Sequence, residues 1–156
     1  MKRRSRFGST IIFAFAALAR AACADDAQGH ALSLAREACA VKYRASTGDP
    51  LADSTARQAA RNKTLPSLEE AADKAAQAAR LDDTWQPLAT TLNRFAELAS
   101  VTIELGDLRD TRVGEGYATP EDVDRDNQLD ARRTGLIREL DSSSLTGECR
   151  KAKDSS

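Results

Sequence analysis

One apolar stripe restricts the fold more than any other feature of the sequence. Trp85, Leu88, Leu92, Phe95, Ala99 and Ile103 recur at three- and four-residue steps, flanked by Leu98, Val101 and Leu105. No stretch alternates with period two for long enough to make a strand, and no fixed-period repeat is present. The expectation is an all-α fold, a small antiparallel helical bundle of four or five helices behind an N-terminal signal segment. The stripe itself predicts a central core helix from Thr84 to Leu105, about 33 Å long at 1.5 Å per residue.

End signals place the other helices around it. Ala31, Leu34, Ala38, Val41 and Ala45 mark one stripe within a helix from Ala27 to Ala45. Gly48-Asp49-Pro50 then predicts a turn, with Asp49 as cap and Pro50 in first position of a weakly amphipathic helix from Leu51 to Lys63. Leu68, Ala72, Ala75 and Ala79 form the next stripe, preceded by Ser67 and Glu70 as a capping box. Pro66 leaves open two short helices or one bent helix. Asp83 with Gln86 predicts the cap of the central helix, and Gly106 its end, followed by a loop or hinge through Gly114 and Gly116 to Ala118. Thr119, Pro120 and Asp122 start a last helix running to Leu140, with an acidic first turn. Beyond Ser142-Ser143-Ser144, residues 142–156 read as a polar tail without order past Cys149.

The first residues carry a second kind of information. Lys2, Arg3, Arg4 and Arg6 precede an apolar run from Phe7 to Ala19 and the small residues Ala21-Ala22-Cys23-Ala24, the order of a secretory signal peptide over residues 1–24. The run is shorter than the roughly 20 residues that cross a bilayer, so a retained anchor is the minor alternative. Two processing routes remain. Cleavage after Ala24 removes Cys23, whereas Ala21-Ala22-Cys23 resembles the end of a lipobox, in which Cys23 is lipidated and becomes the first residue. The lipobox likeness departs at Arg20, where leucine is usual. Either route leads to a bacterial envelope, periplasmic or secreted location. Arg3-Arg4 also matches a twin-arginine signal weakly.

Removal of the signal takes Lys2, Arg3, Arg4, Arg6 and Arg20 from 23 basic residues, leaving 18 against 24 acidic ones and a net charge near −6. That argues against nucleic acid as a partner and against adsorption of the folded domain to anionic lipid. Membrane attachment then depends on a lipid on Cys23 or on a retained signal. The remaining aromatic residues are Tyr43, Trp85, Phe95 and Tyr117. The core must therefore be alanine and aliphatic, and alanine buries little area. A bridge between Cys39 and Cys149 is the expected reinforcement in an oxidising compartment; free thiols, or a pairing with a retained Cys23, are the alternatives.

Few residues promise chemistry. Asp122, Asp124, Asp126 and Asp130 resemble positions one, three, five and nine of an EF-hand calcium loop. Asn127 stands where glycine is usual and Arg133 where a bidentate glutamate is needed, so an acidic first helical turn is the competing reading. His30 is the single histidine, which excludes histidine-based triads and multi-histidine metal sites. Gly114-Glu115-Gly116 lacks the third glycine and the preceding strand of a phosphate loop. Asn62-Lys63-Thr64 is a formal glycosylation sequon, and Asp82-Asp83 and Glu69-Glu70 sit at helix starts, where caps account for them. No catalytic residue and no cofactor are expected.

Taken with the signal, the alanine-rich helices and the pair Cys39 and Cys149, the chain resembles, as a class, the short exported proteins and lipoproteins of bacteria. The resemblance implies location more than activity. The expected function is a non-catalytic protein-binding or structural module of the envelope. An acidic inhibitor or immunity-type protein steered to a basic secreted hydrolase, or a binder of calcium or a small ligand, are the alternatives.

Overall fold

The structure, a computed structural model, describes residues 12–41, 49–115, 119–140 and 142–155, with side chains from Asp26 onward except Glu115 and 142–144. The expected signal up to Ile11, the Cys23 side chain, Tyr43, Ala45, Gly48 and Gly116 lie outside what is described. All regular structure among the described residues is helical. The elements are α1 (Ile12–Ala40), α2 (Ser54–Ala59), a π-helical turn (Ala60–Thr64), α3 (Leu65–Leu81), a short 3-10 turn (Asp83–Trp85), α4 (Gln86–Glu115), α5 (Pro120–Glu139) and α6 (Ser142–Asp154). Helix α2, the π turn and α3 follow one another without a break, so five helical rods make the bundle. No helix of the described residues is long and apolar enough to cross a membrane.

The main core is built from alanine faces that let helices approach closely. Ala31, Ala35 and Ala38 of α1 meet Ala71, Ala72, Ala75 and Ala78 of α3, and Trp85 of the 3-10 turn with Leu88, Ala89 and Leu92 of α4 closes the layer. Ion pairs give the antiparallel register of α4 and α5: Arg94 with Glu139, Glu97 with Arg132, Glu104 with Arg125, and Arg109 with Asp126. Helix α6 packs antiparallel to α1, with Cys149 joined to Cys39 and Arg36 donating to the Ala152 carbonyl at 2.9 Å.

Several boundaries differ from those the sequence predicts, each for a visible reason. Asp49 does not cap a helix at Pro50. Its carboxylate accepts the Leu51 N–H and its carbonyl those of Ala52 and Asp53, closing a turn that hands the cap to Asp53, which accepts from Thr55 and Ala56. Pro66 does not split the rod. A proline has no N–H and crowds the carbonyl four residues back; the π turn immediately before it, closed by the Leu65 N–H on the Ala60 carbonyl, absorbs the misfit. Ser67 is consequently interior, with its hydroxyl donating to the Lys63 carbonyl. The cap before α4 is Asp82, one residue earlier than expected, accepting the Thr84 N–H at 2.9 Å. Thr119 and Asp122 form the expected capping box of α5.

The largest departures concern Gly106 and the tail. Gly106 lies inside α4, which continues to Glu115. Residues 142–154, expected as a tail, form α6, with Ala152 fully buried and Leu145 and Cys149 packed against the core. At the other end, α1 runs unbroken through residue 24, the predicted boundary between signal and domain.

Candidate functional site

The disulfide of Cys39 and Cys149 ties the end of α1 to α6, with Cα atoms 5.5 Å apart and 110 residues between them in sequence. Around it opens a groove of about 670 Å³. Its cations are Arg36, Arg150 and Lys153, with Asp154 opposing them. Arg36 is already committed to the carbonyls of Ala152 and Ser155, and both sulfurs are oxidised, so the groove offers neither a free thiolate nor an unengaged Arg36. Nearby, Lys151 lies over the Trp85 ring at 5.4 Å and donates to the Thr84 carbonyl, pinning α6 to the start of α4.

The four aspartates of the EF-hand-like run fall on the single helix α5 instead of a curled loop. At 100° per residue, Asp122, Asp126 and Asp130 share a stripe while Asp124 points away. Asp122 is spent on the cap, accepting from the Thr119 N–H and hydroxyl. Asp126 receives Arg109 at 2.8 Å and Arg112 at 2.6 Å, and Asp130 receives Arg109 at 3.4 Å. Asp126 and Asp130 thus face α4's arginines, while Asp122 turns back to its own cap. Among the described residues no group of three or more His, Cys, Asp or Glu side chains could hold a metal ion. His30 is exposed on α1.

Sequence reasoning passed over two clusters. The first is Arg57 of α2, only 2% exposed, paired with Asp107 at 3.0 Å and with Asp110, and donating to the Pro50 carbonyl at 2.8 Å. It lies against Gly106, so it is a structural lock between the second rod and α4. The second is a cleft of about 370 Å³ between that rod and α5, reaching from the π turn across α4 to Arg133. Phe95, Leu98 and Ala99, central to the predicted core stripe, are only partly buried there. The Arg133 Nε is buried without a hydrogen-bond partner. The one signal for this cleft in the sequence is Pro66, which forces the deviation at its wall.

Three carboxylates are held below their ordinary values. Hydrogen bonds from Thr84 lower Asp82, those from Thr119 lower Asp122, and the Lys74 ammonium lowers Glu37. A folded-state pKa below the unfolded value contributes stability that is present above the ordinary values, 3.8 for aspartate and 4.5 for glutamate, and is lost as pH falls through the lowered ones. The melting temperature should therefore be level from neutral pH to about pH 5 and then decline in acid. Asp122→Asn should flatten that acid limb. An unchanged slope would show that the α5 cap contributes nothing to it.

Comparison of the chain with protein families, with curated proteins and with solved structures finds no match.

Proposed function

We propose that the chain is an exported, non-catalytic binding module of a bacterial cell envelope, tethered by a lipid on Cys23 or released by cleavage after Ala24. One observation carries the reading: Cys39 and Cys149 pair across 110 residues in a chain whose N-terminus has the order of an export signal. Disulfides of this kind persist in oxidising compartments. Of the carboxylates at helix starts, Asp82 and Asp122 act as caps, and Cys39 and Cys149 are joined to each other. Contact with a protein partner is favoured by the α4–α5 hairpin. Val113, 83% exposed, Val123 and Ile137 lie on it, and Leu81 is the one other large apolar side chain exposed among the described residues.

The test is the intact mass of the chain recovered from the envelope fraction of a bacterial host, alkylated before and after reduction. The expected mass starts at a lipid-modified Cys23 or at Asp25, with Cys39 and Cys149 alkylated only after reduction. A chain retaining Met1 in the cytosol, with both thiols open to alkylation from the start, would overturn the proposal.

A further inference from the structure

Among the described residues no helix covers the middle of the strongest apolar stripe in the chain. Leu88 and Leu92 toward the start of α4 and Ile103 and Leu105 toward its end are buried, whereas Phe95, Leu98 and Ala99 between them are partly exposed and floor the cleft. The uncovered stretch lies where the second rod adopts its π turn, with Ala60 and Leu68 on that wall. Deviations of this kind recur at functional positions. On the opposite wall stands Arg133 of α5.

Arg133 differs from its neighbours. Arg125 pairs with Glu104 and Arg132 with Glu97, while the Arg133 Nε–H is removed from water with no acceptor. A buried donor left unmatched at the edge of an apolar cleft is a costly arrangement that an anionic ligand group would relieve. Charge and lining together narrow the ligand. A bare inorganic anion would leave the apolar floor unused. A multiply charged group would meet the carboxylate of Asp49, which also lines the cleft and accepts from the Leu51 N–H at 3.0 Å. A whole helical turn, about 5.4 Å high and 10–12 Å across, is larger than about 370 Å³, so the space suits a thinner chain better than an inserted helix. At about 30 Å³ for each water-sized group, the cleft has room for roughly a dozen such groups.

We propose that this cleft binds a single-chain amphiphile bearing one negative charge, a medium-chain carboxylate, with its chain on Phe95, Leu98 and Leu68 and its head accepting from Arg133. The assignment is independent of whether the chain is exported.

Titration calorimetry of the full oxidised chain with decanoate below its micelle concentration tests it, with decanol as the uncharged match. Decanoate should bind saturably, one per chain. Arg133→Leu should weaken decanoate at least tenfold while decanol stays within twofold or binds more tightly. Ala99→Leu should fill the cleft and abolish both, with circular dichroism and the disulfide unchanged; if that variant does not fold, Thr102→Met fills the same space from the next turn. The proposal is overturned if the native chain shows no saturable binding, if Arg133→Leu keeps its affinity for decanoate, if decanol weakens in parallel, or if the filling variant still binds. Cosedimentation with vesicles of anionic phospholipid in place of binding to monomeric decanoate would also overturn it, since it would indicate a surface and not a cleft.

Discussion

Replacing Cys39 and Cys149 by serine should lower the melting temperature by roughly 10–20 °C, and the first part of the molecule to open should be α6. The magnitude follows from the closed loop. For a separation of 110 residues, loop-closure entropy gives about 4–5 kcal/mol of stabilisation through the unfolded state, and each kcal/mol moves the transition of a chain this size by about 2–4 °C. The order of opening follows from packing. Helix α6 has 13 residues, a marginal length for an isolated helix in water, and among its described side chains only Ala152 is fully buried. Apart from the bridge, α6 is held by Arg36 on the carbonyls of Ala152 and Ser155 and by Lys151 on Trp85 and the Thr84 carbonyl. Those polar contacts, exposed or half-buried, are each worth about 1 kcal/mol or less. Hydrogen exchange should therefore show residues 145–154 losing protection first on reduction, with α3 and the first half of α4 protected until global unfolding. Uniform loss across all helices would show that the bridge acts on the whole bundle and not through α6.

The second large effect belongs to Arg57 and Gly106. A Cβ built on Gly106 would lie 2.5 Å from the Arg57 Nη1 and 2.8 Å from its Cδ. A free side chain would swing away, but this guanidinium is held by Asp107, Asp110 and the Pro50 carbonyl. Gly106→Ala gains about 1 kcal/mol of helix propensity and loses more by displacing a buried cation from its partners, for a net destabilisation on the order of 2 kcal/mol. Arg57→Ala should cost about 3 kcal/mol. The estimate sits at the low end for breaking a buried pair, because Asp107 and Asp110 are half-exposed and recover hydration. The decisive measurement is the double-mutant cycle in urea. Once Arg57 is alanine the obstruction is gone, so Gly106→Ala should become stabilising by about 1 kcal/mol, its propensity gain alone. A Gly106→Ala effect of the same sign and size in both backgrounds would show that the two residues are not coupled.

These two sites also mark where the sequence was legible and where it was not. The stripe from Trp85 to Ile103 is helical as its spacing requires, and Thr119-Pro120-Asp122 starts α5 with the capping box its residue types imply. Gly106 was read as a helix end because glycine lacks a Cβ and costs helix stability. The absent Cβ is instead the space that the Arg57 side chain occupies from another rod, 49 positions earlier in the chain. The acidic run is ambiguous in sequence for a similar reason. Asp122, Asp126 and Asp130 have the spacing of metal ligands and also that of a helical stripe, and only the presence of Arg109 and Arg112 on the facing helix decides between them. Polar residues 142–154 gave little local reason for order. Their helix depends on what it is joined to, through Cys149 and Ala152.

Helical class, the alanine-lined faces and the α5 cap are properties of residues three or four positions apart, so they are written in any short window of the chain and were readable there. The pairing of Cys39 with Cys149 was an expectation that the approach of α1 and α6 makes geometrically sound. The interior place of Gly106, the arginine partners of the aspartates, the ordering of α6 and the uncovered floor at Phe95 and Ala99 were decided by tertiary structure alone. Each depends on which side chains distant segments bring within a few ångströms, and no periodicity within one helix encodes that.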